Sequence, residues 1–209
     1  MPRKPQPKDD AHAPHDGAHA GADGGTPAPE AAALAEADGQ LRARFDRAES
    51  LVAQGSLADA AEAFAGVLAA QPEHVRALLG LGGVLAAQGK FDAAEKEMRK
   101  ALRLAPDDPE VNHQLGAILY KRGVYAAAAT TLRRAVELDP RAAGAYVILG
   151  EALNQMAESD QAIEVLEAAV RISPESGKAY YAMGIAYDRK GNFDRAAEMY
   201  RLSREVGLR

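Results

Sequence analysis

The sequence predicts an all-α protein: a solenoid of five helical hairpins behind a disordered N-terminal tail. Three observations carry the prediction. Pro72, Pro106, Pro140 and Pro174 recur at a constant interval of 34 residues, and Gly82, Gly116, Gly150 and Gly184 keep the same interval, which marks a stacked repeat. Within each interval the apolar residues fall at helical spacing. Finally, hydrophobic residues make up 47% of the 209 but aromatics only 5%, so the core depends on many small contacts between closely approaching helices.

The repeat runs from 41 to 208 without insertion, in units 41–74, 75–108, 109–142, 143–176 and 177–208. Positions 4, 7, 8 and 11 of each unit share one face of a first helix. Gly55, Gly89, Gly123 and Gly191 then mark a turn, where glycine supplies the left-handed cap. A second helix opens near Asp92, Asp160 and Asp194, whose carboxylates suit the positive end of a helix dipole. The proline at position 32 ends it. Asp108-Pro109 supplies a cap and an N1 proline for the next unit. Ala60, Ala94, Ala128, Ala162 and Ala196 form a small-residue column, and Phe64, Met98, Leu132, Leu166 and Tyr200 stand four residues beyond it.

Residues 1–40 read differently. They hold three basic against seven acidic side chains, have no aromatic residue and offer almost no large aliphatic group before Leu34. Such a segment cannot offset the entropy of ordering, so a disordered low-complexity tail is expected, with a short helix starting near Pro29-Glu30 and weakened at Gly39. His12, His15 and His19 lie in this tail. With nothing to fix their rings they do not make a specific metal site.

The pattern Leu78-x-x-Leu81-Gly82-x-x-Leu85, then Ala94-x-x-x-Met98, then Pro106 resembles the tetratricopeptide repeat. The likeness covers about four-fifths of the chain and implies a right-handed superhelix. Departures fall mostly at the ends: Arg44, Arg47 and Ala48 in the first unit and Arg204 in the last look like polar caps on outer faces. By resemblance, the array ends with the fifth unit.

In that family the side of the first helix opposite the packed stripe lines a concave groove where partners dock. Positions 2, 5, 6, 9, 12 and 13 lie there. Repeat two offers Leu79, Gly80, Gly83 and Ala86, and repeat three His113, Gln114, Ala117, Tyr120 and Lys121. Repeat four adds Val147, Ile148, Glu151, Asn154 and Gln155, and repeat five Tyr181, Ile185, Asp188 and Arg189. Leu79, Val147, Ile148, Tyr181 and Ile185 are larger and more apolar than a solvated face requires, while Asn154, Gln155 and Arg189 suit a peptide backbone or a carboxylate. The competing reading is that these residues pack on one another across neighbouring helices. The two-carboxylate clamp of co-chaperones in this family is missing, because Phe45, Glu49, Leu79, Gly83, His113 and Ala117 occupy the corresponding places.

Catalysis is not expected. Cysteine and tryptophan are absent, which removes thiol chemistry, disulfides and Cys-ligated metals. No catalytic signature appears, and Gly80-Leu81-Gly82-Gly83 and Gly21-Ala22-Asp23-Gly24-Gly25 lack the strand that a phosphate loop follows. The first cluster reads instead as close helix packing. His74 and His113 have no nucleophile or carboxylate at a telling spacing. No cofactor and no metal are therefore expected. The formal charge of −5 sits mostly in the tail, leaving a body with no global field for nucleic acid or an anionic membrane. Repeat four, with Glu151, Glu158, Asp160, Glu164, Glu167 and Glu175, is acidic between two basic units and reads as local complementarity. No stretch reaches the roughly 18 apolar residues of a bilayer span and no signal peptide is evident, which gives a cytoplasmic default. Arginine outnumbers lysine by 17 to 8, pointing to a GC-rich, bacterial genome. The functional expectation is a scaffold or adaptor that holds a peptide or partner helix in the groove. The alternative is a structural subunit or assembly factor of a larger bacterial complex that uses its convex face or ends.

Overall fold

A computed structural model describes residues 29–207 and contains, among them, ten helices and no strand. The expected disorder of residues 1–28 and the three tail histidines lie outside the described residues. The helices pair into five hairpins: α1 (Pro29–Ala53) with α2 (Leu57–Ala70), α3 (Val75–Ala87) with α4 (Phe91–Leu104), and α5 (Pro109–Lys121) with α6 (Tyr125–Leu138). The last two are α7 (Ala143–Gln155) with α8 (Ser159–Ile172), and α9 (Gly177–Arg189) with α10 (Phe193–Gly207).

Helix α1 departs from expectation. It does not stop at Gly39 but runs unbroken from Pro29 into the first repeat. One glycine costs a helix about 1 kcal/mol relative to alanine. The flanks, Ala31-Ala32-Ala33-Leu34-Ala35 before it and Gln40-Leu41-Arg42-Ala43 after, are strong helix formers that carry the helix through.

Each hairpin turns on the same cap. Gly55, Gly89, Gly123 and Gly191 have φ between +72° and +79°. The following amide reaches back to the last turn of the first helix, as in Ser56 N to Leu51 O and Lys90 N to Leu85 O, the double-bonded cap that a left-handed residue permits. Repeat four lacks the glycine, and Ala157 takes its place at φ +62°. The hydrogen bond survives, Glu158 N to Leu153 O at 2.9 Å, so alanine is held left-handed at a cost of about 1–2 kcal/mol. Ala157→Gly should therefore raise the thermal midpoint by a few degrees, measured by the circular-dichroism melt.

Two columns of small residues run through the hairpins. Ala60, Ala94, Ala128, Ala162 and Ala196 are all buried. Behind each glycine of the other column stands a large side chain of the paired helix: a Cβ on Gly82, Gly116, Gly150 or Gly184 would overlap Met98, Leu132, Leu166 or Tyr200. Glycine is thus the residue that lets two helices close on a large side chain. At the helix starts, Asp108 accepts from Glu110 N (2.8 Å) and Val111 N (3.1 Å), with Pro109 in the first turn, while His74 Nδ1 caps α3 through Ala77 N at 3.1 Å. Asp92, Asp160 and Asp194 lie in first turns, where they meet the helix dipole without making a capping bond.

Packing order fixes the curvature. Consecutive helices pack in sequence. In addition the first helices touch one another across repeats, α1 with α3, α3 with α5, α5 with α7 and α7 with α9. No such contact joins α2, α4, α6, α8 and α10 to one another. The first helices therefore form the inner layer of a right-handed superhelix, and their inward faces line its concave side.

Candidate functional site

Three cavities lie along the inner layer. The first, of about 540 Å³, is lined by Phe45, Val52 and Leu57 from the first hairpin, Phe64 beneath them, and Leu79, Gly80, Gly83 and Gln114 opposite. Its aromatic floor is ordered: Phe45 meets Phe64 edge-on with centroids 5.8 Å apart, stacks on His74 at 5.1 Å and lies under the Arg76 guanidinium at 4.7 Å. Arg76 also donates to Glu49 at 3.1 Å, closing the rim with an ion pair. The glycines divide the work. A Cβ on Gly80 would strike the Phe64 ring, whereas a Cβ on Gly83 would meet only Gln114 Oε1, at 3.6 Å. Close packing thus accounts for Gly80 and Gly82, but Gly83 leaves space in the groove.

The second cavity, of about 620 Å³, brings together Tyr120, Lys121, Val147, Ile148 and Glu151 with Ser173, Ser176 and Lys178. Burial and the neighbouring Glu151 carboxylate both hold the Tyr120 phenol above its ordinary pKa. The third, of about 430 Å³, adds Tyr181 beside Glu151 and Lys178. Tyr181 is 56% exposed, and its ring rests on Tyr200 at 5.5 Å. The Tyr200 hydroxyl donates to Asp188 at 2.7 Å. Burial, with that carboxylate, pushes its pKa up to about 12.

The expected groove residues divide accordingly. Leu79 and Gln114 face the first cavity, and Tyr120, Lys121, Ile148, Glu151 and Tyr181 face the others. His113 is half-buried, 3.7 Å from Glu110, and Gln155 and Arg189 are exposed beyond the cavity walls. Ile185 is half-buried. Three placements differ from expectation. Val147 edges the second cavity but is only 7% exposed, packed into the main core. Asn154, 2% exposed, donates to Ala182 O at 2.8 Å and ties α7 to α9, so it braces the stack and cannot hold a peptide backbone. Asp188 is engaged by Tyr200. For Val147 and Asn154 packing between neighbouring helices prevails, whereas Asp188 stays exposed.

Sequence reasoning missed Phe45, Val52, Arg76 and Lys178 as lining residues. The signal was present at the groove positions of repeat one, where Phe45 and Val52 face the paired glycines of repeat two. Among the described residues no cluster of His, Asp or Glu is arranged to hold a metal ion, and no helix is long and apolar enough to cross a membrane.

A stack of helical hairpins with a cavity-lined inner face defines a protein-interaction solenoid. Models of the tetratricopeptide repeat match residues 45–109, 113–177 and 158–205, and this chain belongs to that family. No curated protein matches it in sequence. Among solved structures it is similar to the MamA protein, at 30% identity and TM-score 0.72, covering 79% of this chain and 91% of that one. It is also similar to MamA from Desulfovibrio magneticus RS-1, at 25% identity and TM-score 0.74 over 80% and 95%. YrrB, described as a TPR protein with an unusual peptide-binding site, shares the fold at 24% identity and TM-score 0.70, over 86% and 92%.

Proposed function

We propose that this chain is a non-catalytic, cytoplasmic scaffold or adaptor that holds a peptide or a partner's helix on its concave face. The observation that carries the reading is the row of three cavities on the inner layer, of about 540, 620 and 430 Å³. The first is walled mainly by apolar side chains, and the other two set Tyr120, Ile148 and Tyr181 among Glu151, Lys178 and serines, a make-up that suits recognition of a peptide. The peptide-binding site named for YrrB is in keeping with this use of the fold. Tyr181 and Ile185 test it, because Tyr181 is exposed and neither belongs to the tightly packed core. Replacing both with alanine should reduce partner capture from native lysate several-fold while the helical melt stays close to that of the wild type. Unchanged capture removes the groove from the reading.

One observation favours a second reading, a structural subunit or assembly factor that docks through its end. Phe193, at the start of α10, is 70% exposed, whereas Phe91 at the same position of repeat two is half-buried against the main core. Under that reading Phe193→Ser abolishes capture and the Tyr181/Ile185 pair is dispensable.

A further inference from the structure

We infer that the first cavity is a receptor for a tryptophan side chain of a partner protein. The inference rests on the groove reading above and gives one end of that groove a chemical specificity. Three features narrow the occupant. The walls are Phe45, Val52, Leu57, Phe64 and Leu79, an apolar and partly aromatic lining that suits a large apolar side chain. The rim charges are already satisfied, Glu49 by Arg76, so the cavity does not call for a charged ligand. Its one unmet polar demand is an acceptor. Gln114 donates through Nε2 to Glu110 at 2.7 Å, which identifies the nitrogen end of its amide, and Oε1 is left buried without a donor near Gly83.

A buried acceptor without a partner carries a desolvation penalty that a ligand N–H removes. The terminal torsion of glutamine is soft, so a small rotation brings Oε1 to the cavity wall. Indole fits this combination: a large apolar body, one donor and no acceptor. Phenylalanine and leucine fill the space but leave Oε1 unpaired. The occupant comes from another protein, because this chain contains no tryptophan and residues 1–28 offer no large apolar side chain besides Met1.

The absence of tryptophan also makes the test direct, since all indole emission comes from the ligand. The full chain is titrated with short acetylated and amidated Gly/Ser peptides that differ only in one central residue, Trp, Phe or Leu. The expected result is a saturable blue shift of the Trp peptide and an affinity roughly tenfold above the Phe peptide by calorimetry, the worth of one satisfied acceptor. Gly83→Leu, whose side chain enters the cavity, should abolish binding, and Val52→Asp at the exposed rim should weaken it, both with unchanged far-UV circular dichroism. Gln114→Met should bring the Trp and Phe affinities together while leaving the Phe value in place.

Equal affinities for the three peptides, no saturable shift, or a shift that survives Gly83→Leu and Val52→Asp would each overturn the assignment. So would self-association that Gly83→Leu abolishes, since it would make a second copy the occupant. Failure here is separable from failure of the groove itself. If the Trp peptide gains nothing but capture still falls in the Tyr181/Ile185 variant, the groove stands without this specificity.

Discussion

Leu132→Ala is expected to lower the stability of the array by about 2–5 kcal/mol, the range for emptying a fully buried leucine site. Leu132 is completely buried in the third hairpin and lies against Gly116, whose absent Cβ would stand 2.5 Å from its Cγ. Gly116→Ala alone is expected to destabilise as well, by about 1–3 kcal/mol of overpacking, despite the roughly 1 kcal/mol that alanine gains over glycine in a helix. The two sites share one space, so their effects cannot add. In the double variant the alanine methyl at 116 occupies part of the cavity left at 132, and its helix propensity is realised without a clash. Urea unfolding of the four proteins should therefore place the double variant well above the sum of the singles, and close to or above Leu132→Ala alone. Additive losses would mean that α5 and α6 move apart on substitution and that glycine is not what sets their distance.

The same geometry explains what could be read from the sequence. Gly82, Gly116, Gly150 and Gly184 hold their interval because each faces a large residue of the paired helix, so a packing constraint appears in one dimension as a strict period. The prolines and turn glycines do likewise, which made the hairpins and their phase legible. Ala157 was not legible: a left-handed alanine looks like any other alanine until the backbone is seen. The continuation of α1 through Gly39 was hidden for a related reason, since one unfavourable residue was outweighed by its flanks.

The groove was legible as a face but not as a surface. Helical phase puts Leu79, Val147, Asn154 and Tyr181 on one side of their helices, the side expected to turn inward. Whether an inward residue is open depends on the size of its neighbours one repeat away. Tyr181 rests on Tyr200 and keeps more than half its surface, whereas Asn154 is covered and reaches the Ala182 carbonyl. Gly83 shows the converse, since what matters there is the side chain that is missing. The most apolar opening thus falls between the first two hairpins.

The other large effect is expected at Arg122, on the interface between the second and third hairpins. Glu95 is buried, at 4% exposure, within α4, and its carboxylate is held by Arg99 at 2.6 Å and by a hydrogen bond from Arg122 just beyond the end of α5. Arg122 also reaches Asp92 at 2.6 Å, so one guanidinium joins two carboxylates of one hairpin to the next. Removing it leaves Glu95 with Arg99 alone, whose guanidinium is largely in water. A buried carboxylate deprived of its main partner costs about 3 kcal/mol or more, and Arg122→Ala should lose an amount of that order in urea unfolding. If the loss comes from a stranded charge, and not from broken packing, removing the charge must repair it. Glu95→Met in the Arg122→Ala background should therefore recover most of the stability, because a buried ion pair replaced by apolar groups of similar volume is often neutral or better. Recovery would show that the loss comes from the stranded charge and that the pair adds little net stability beyond what apolar packing supplies there. A double variant no more stable than Arg122→Ala would instead place the loss in the packing of the arginine stem along α4.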